Sequence, residues 1–326
     1  MHNSLSRRDF LALLGSVACV QLLNGCLPKS QPISIATHNW PGYEPLSLAR
    51  SLGWLDEKQV TLIETRSATE SIELLKQGKI NGAGLTLDEV LRIREFGIPL
   101  VVILVCDISA GADMLLVKPN IKTLGDLKGK RVAVEDGALG ALMLFEVLRT
   151  AGLQRKDIQA ISLTVDQHAA AWQHGEIDAA ISFEPGSGQV KKLGGKILFD
   201  SRSIPDLIFD VIAVHPAALG KAHDVALHHL ITAHLKALKH IHTNPEDAAY
   251  RMASRLNLPP DEVLSSFKGL VLPDLDYNMR LLNTDTPVLL KSARAIADTM
   301  LKAGILHQPA NLNDLLQHDF LHDVDA

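Results

Sequence analysis

Apolar and polar positions change period repeatedly along this chain. Ile33-Ser34-Ile35-Ala36-Thr37 alternates as a half-buried strand does, and a turn-rich loop follows from His38 to Tyr43. The pattern then predicts a helix over 45–52 and a strand over 60–64. Ser67-Ala68-Thr69-Glu70 and Thr86-Leu87-Asp88-Glu89 each set a hydroxyl three residues before a glutamate. Such capping boxes open helices, here running to about Gln77 and to near Gly97. Strands are expected over 82–85, 100–105 and 114–117. This βαβαβ order predicts a mainly parallel sheet covered by helices.

A second unit starts at Thr123. Strands are expected over 130–134, 161–165, 177–183 and 197–200, and helices over 138–151, 167–174 and 185–193. An extended apolar segment over 209–214 can return to the first unit. From Pro216 onward the pattern is helical: one long helix over 223–242, then helices opened by Asn244-Pro245 and by Thr286-Pro287. The expected architecture is α/β: two lobes joined by a two-strand hinge, crossing near 117–122 and near 210–216. Residues 33–120 and 214–326 make lobe 1, and 121–213 make lobe 2.

The first residues read as an address rather than as fold. Ser6-Arg7-Arg8-Asp9-Phe10-Leu11 resembles a twin-arginine export signature, and the apolar run over 11–23 is too short to span a bilayer. Leu23-Asn24-Gly25-Cys26 resembles a lipobox. Residues 1–25 are therefore expected to be a signal peptide, with Cys26 lipidated and 26–32 a short tether holding a periplasmic protein to a bacterial membrane.

Composition narrows the classes. Hydrophobic residues make up 47% of the 326 and the net charge is −5, without a basic block, so a nucleic-acid partner is not expected. Three cysteines, Cys19, Cys26 and Cys106, form no disulfide framework, and Cys106 ends an apolar run as a buried small hydrophobe would. The histidines over 223–242 lack the spacing of three or four that a metal on a helix favours. No nucleophile elbow, phosphate loop or dinucleotide fingerprint occurs, so neither a cofactor nor an enzyme is expected.

Four segments carry a family resemblance: Asn39-Trp40-Pro41-Gly42-Tyr43-Glu44-Pro45 with 49–55, Leu74–Ala83, Leu124–Val134, and Gly175-Glu176-Ile177-Asp178-Ala179-Ala180. Together they resemble periplasmic substrate-binding proteins of ABC transporters, in the class that handles nitrate, sulfonate, taurine or thiamine-type pyrimidines. The resemblance implies a type II periplasmic-binding fold. A monomer would close by a hinge on a small-molecule solute and deliver it to a permease. A membrane sensor kinase or cyclase is the alternative partner, and a pyrimidine-synthesising enzyme of the same fold is a more remote alternative.

In open parallel sheets the ligand crevice lies beyond the carboxyl ends of the strands. That rule selects Asn39, Trp40, Tyr43 and Glu44, then Arg66 and Ser67, then Thr86 and Asp88 in the first lobe. In the second it selects Glu135, Asp136 and Ala138, Asp166 and Gln167, then Phe183 and Glu184, with Asp210 on the returning strand. Acids outnumber the single cation Arg66 and stand beside aromatics. The pattern suits an amine-bearing or heteroaromatic solute better than an anion.

Overall fold

The computed structural model describes residues 30–137, 139–283, 288–322 and 324. The export segment, Cys26, Ala138 and the Thr286-Pro287 helix start lie outside the described residues.

The first lobe opens as the periodicity predicts: β1 (Ile33–His38), α1 (Glu44–Ser51), β2 (Val60–Thr65), α2 (Ala68–Lys76), β3 (Gly82–Thr86), α3 (Leu87–Glu95) and β4 (Val101–Ser109). Ser67 caps α2, its hydroxyl accepting from Glu70 N, and Glu89 accepts from Thr86 N at the start of α3. The second lobe contains β5 (Met114–Val117), β6 (Arg131–Val134), α4 (Leu139–Ala151), β7 (Gln159–Ser162), α5 (His168–Gln173), β8 (Ala179–Ser182), α6 (Gly186–Lys192) and β9 (Lys196–Asp200). The chain then returns through β10 (Phe209–Val214), α7 (Asp224–Thr243), α8 (Pro245–Leu256), α9 (Pro260–Ser266), β11 (Leu270–Val271), α10 (Leu275–Leu282) and α11 (Val288–Lys302).

Two mixed sheets result. The six-stranded sheet has the order β11-β4-β10-β3-β1-β2 and the five-stranded sheet the order β7-β6-β8-β5-β9. β1 pairs in parallel with β2 and β3, but β10 lies antiparallel to both β3 and β4. In the second sheet β6 is parallel to β7 and β8, whereas β5 is antiparallel to β8 and β9. The expectation of mainly parallel sheets misses these inserted strands. β5 and β10 enter directly from the other lobe, and without a crossover helix nothing forces parallel pairing.

The crossings shift for the same reason. Residues 114–117 pair in the second sheet, so the chain crosses over 110–113, before that strand rather than after it. It returns over 201–208, before β10. Met-Leu-Leu-Val is buried throughout and has no polar alternation to mark its sheet. The strand expected over 161–165 lies at 159–162, and Val165 opens a 3-10 turn instead.

β3, β4 and β10 are buried at every residue and form the spine of the first lobe. Long α7 packs on α1, with His234 wholly buried, while His229 accepts from Asp56 N at 2.7 Å and His240 faces Asp247 at 2.8 Å. Two glycines allow a close approach at the end of this spine. A Cβ on Gly84 would stand 2.9 Å from the Tyr43 ring, and one on Gly42 would overlap Asp107 Oδ2. Gly84→Ala is expected to destabilise the protein by about 1–3 kcal/mol, because the ring has a buried carboxylate behind it. Urea denaturation reads this as a lowered midpoint with an unchanged slope; an unaltered midpoint would mean that the ring yields freely.

Candidate functional site between the lobes

The carboxyl ends of both sheets face one another across a narrow cavity. His38, Ala68, Thr86 and Glu89 line it from the first lobe, and Glu135, Leu139, Gly140, Val165, Ile181 and Phe183 from the second. Asp113 reaches it from the crossing segment.

An aromatic wall stands beside the cavity. Trp40 Nε1 donates to Asp107 Oδ2 at 2.9 Å, and Tyr43 OH donates to Asp210 Oδ1 at 2.6 Å. Trp40 meets Phe183 of the other lobe edge-on at 5.1 Å, and the His38 ring lies 5.3 Å from Tyr43 and 5.9 Å from Phe183. Asp107 and Asp210 are partners across β4 and β10. Burial pushes Asp107 up to about 7 and Asp210 well above the carboxylate range, the second reinforced by its neighbour Asp107. Burial, and after it Asp210, likewise keeps the Tyr43 proton in place.

The cavity is lined by buried acids. Burial pushes Glu89 up to about 8, with Asp88 adding repulsion, and Asp113 up to about 7. Glu135 is raised by burial against the pull of its bonds to Thr69. Burial, and then Arg255, holds His38 down at about 3, so its ring is neutral. Among the described lining residues none is Lys or Arg. Asp113 Oδ2 is buried and has no hydrogen-bond partner.

Several residues selected from the sequence meet here. Trp40, Tyr43, Thr86, Phe183 and Asp210 line the cavity or brace its wall, Ser67 caps the helix beside Ala68, and Asp88 is buried next to Glu89. Asn39 is half-buried, its Oδ1 enclosed without a partner. Others go elsewhere, and each departure has a partner that explains it. Glu44, fully buried, is engaged by Arg255 of α8, and Arg66 is 85% exposed and pairs with Glu70. Asp136 is held by Arg155 at 2.6 Å and Glu184 by Lys191 at 2.6 Å. Ala138 lies outside the described residues. The strand-end rule does not single out His38, Glu89 or Asp113, which the structure adds. Glu89 reads as a helix cap, and Asp113 sits in a segment whose crossing role no local pattern marks.

A family model described as NMT1/THI5 like matches residues 40–248. An Escherichia coli protein assigned to aliphatic sulfonate binding is 30% identical over 198 residues, covering 58% of this chain and 62% of its own length. The taurine-binding periplasmic protein of the same organism is 24% identical over 202 residues, covering 61% and 60%. The chain thus spans about six-tenths of the length of these curated relatives. The alkanesulfonate-binding protein SsuA of Xanthomonas axonopodis pv. citri, solved with MOPS, superposes with a TM-score of 0.74 at 19% identity, over 89% of this chain and 99% of that one. At that identity the likeness establishes the fold, a periplasmic-binding fold of two lobes.

The buried acids set a pH dependence of stability. Asp113 titrates at 3.8 when unfolded and at about 7 when folded, so between those values the folded state holds the extra proton. Its penalty therefore appears as pH rises above 3.8 and is complete above about 7. Asp113→Asn is expected to stabilise the ligand-free protein at pH 8 by about 2 kcal/mol, and by far less at pH 4. Urea melts at the two values test this; an equal effect at both would refute it.

Proposed function

Since the chain belongs to the NMT1/THI5-like family, we propose that it captures a small amine-bearing or heteroaromatic solute between its lobes and hands it to an ABC permease. One observation carries the solute class: Glu89, Asp113 and Glu135 converge on a cavity with no Lys or Arg among its described lining residues. The curated relatives are named for sulfonates. An anion in this cleft would lose its water and meet uncompensated acids. An amine instead brings donors to Asp113 Oδ2 and positive charge to the carboxyl cluster, while Phe183 offers a ring face or edge.

The cycle is non-covalent. Solute enters the open cleft, the lobes swing about the segments 110–113 and 201–208, and the closed form docks on the membrane partner. Cys106, the one thiol among the described residues, is fully buried and burial holds its proton on. In this reading Cys26 carries the lipid that keeps the periplasmic protein near its permease.

Calorimetry against choline, 4-aminopyrimidine and methanesulfonate tests the solute class. Binding of either nitrogenous probe is expected, and tight binding of methanesulfonate alone would refute the reading. A cation must displace the protons that Glu89 and Asp113 hold in the empty cleft, so choline affinity rises from pH 6 to pH 8. Each proton released contributes up to about tenfold per pH unit. A Cys26→Ser variant, in turn, is expected to leave the membrane fraction on cell fractionation, and its retention there would exclude the anchor.

A further inference from the structure

Two hydrogen-bonded contacts cross the gap in opposite directions. Glu89 of α3 accepts from Thr86 N of its own helix at 2.9 Å through Oε2 and from Leu139 N of the second lobe at 3.1 Å through Oε1. Leu139 is the first residue of α4. Glu135, just after β6, accepts from Thr69 N at 3.2 Å and from Thr69 Oγ1 at 2.5 Å, both through Oε1. Thr69 is the second residue of α2 in the first lobe. Both carboxyls line the cavity, and they are only 2% and 5% exposed.

First-turn N–H groups have no partner within their helix and sit at the positive end of its dipole. Left free in a dry cleft, they would receive an anionic group. Here the chain's own carboxyl oxygens fill them. The third acid points the same way, because Asp113 Oδ2 stands buried and unpartnered in the same cavity, free to accept from a donor once Asp113 has released its proton. We infer that Glu89 and Glu135 are selectivity residues: each fills the helix start of the opposite lobe, so an anionic solute finds those donors taken and a donor-bearing solute does not need them. The inference rests on the cleft being the solute site.

The test uses the mature protein and its Glu135→Ala and Glu89→Ala/Glu135→Ala variants, with methanesulfonate and choline as probes in calorimetry. The parent is expected to ignore methanesulfonate. Freeing the donors raises methanesulfonate affinity by at least about tenfold in Glu135→Ala, and further in the double variant. Choline binding weakens in both. If the double variant does not fold by circular dichroism, Glu135→Ala decides alone, since it leaves the Glu89 cap on α3 intact. Folded variants as indifferent to methanesulfonate as the parent, or a parent that binds it tightly, would overturn the assignment. A parent that ignores choline as well, while the variants gain methanesulfonate, would remove the amine reading and leave the selectivity role standing.

Discussion

The site depends on one awkward pairing. Asp107 and Asp210 face each other on neighbouring buried strands, where two carboxylates cannot both be charged. Each is instead given a donor, Trp40 Nε1 for Asp107 and Tyr43 OH for Asp210, and at least one keeps its proton. The aromatic wall is thereby fixed from beneath, not merely wedged in an apolar core. Gly42 and Gly84 follow from this, since a Cβ at either would drive into Asp107 or the Tyr43 ring. So does the placement of β10, which must return between β3 and β4 to bring Asp210 under the wall.

Much of the frame was legible because it is local. Caps at Ser67 and at Glu89 open α2 and α3 where the boxes indicate, and the alternation of strand and helix persists to the end of the second lobe. What stayed hidden is long-range. Met114–Val117 carries no mark of its sheet, and so the hinge could not be located from pattern alone. Glu44 looks like a cleft acid until Arg255, far along the chain, claims it. Asp136 and Glu184 are claimed in the same way, by Arg155 and Lys191. A loop acid is available to a solute only when no cation folds onto it, and one sequence does not say which cations will.

Glu89 shows the opposite case. Its spacing from Thr86 announces a cap, and it is one, but a carboxyl has two oxygens and the second crosses to Leu139. A residue with a sufficient local reason to exist gave no hint of its distant contact. Glu135 lacks even that local reason, and its contact with Thr69 appears only once the two lobes face each other.

Three acids lie buried between the lobes, and nothing positive in the described lining offsets them. The protein answers by keeping protons, which is why Glu89 rises to about 8 and Asp113 to about 7. Protons and a cationic solute would then compete for the same oxygens, so solute affinity and acidity are two faces of one equilibrium. Glu89 and Glu135 also make hydrogen bonds between the lobes, alongside Arg92 donating to the Asp136 carbonyl at 2.9 Å. Whatever changes the charge on those two side chains changes the hold of one lobe on the other. On the proposed reading recognition and closure are not separate steps, because the oxygens that would select the solute also join the two lobes.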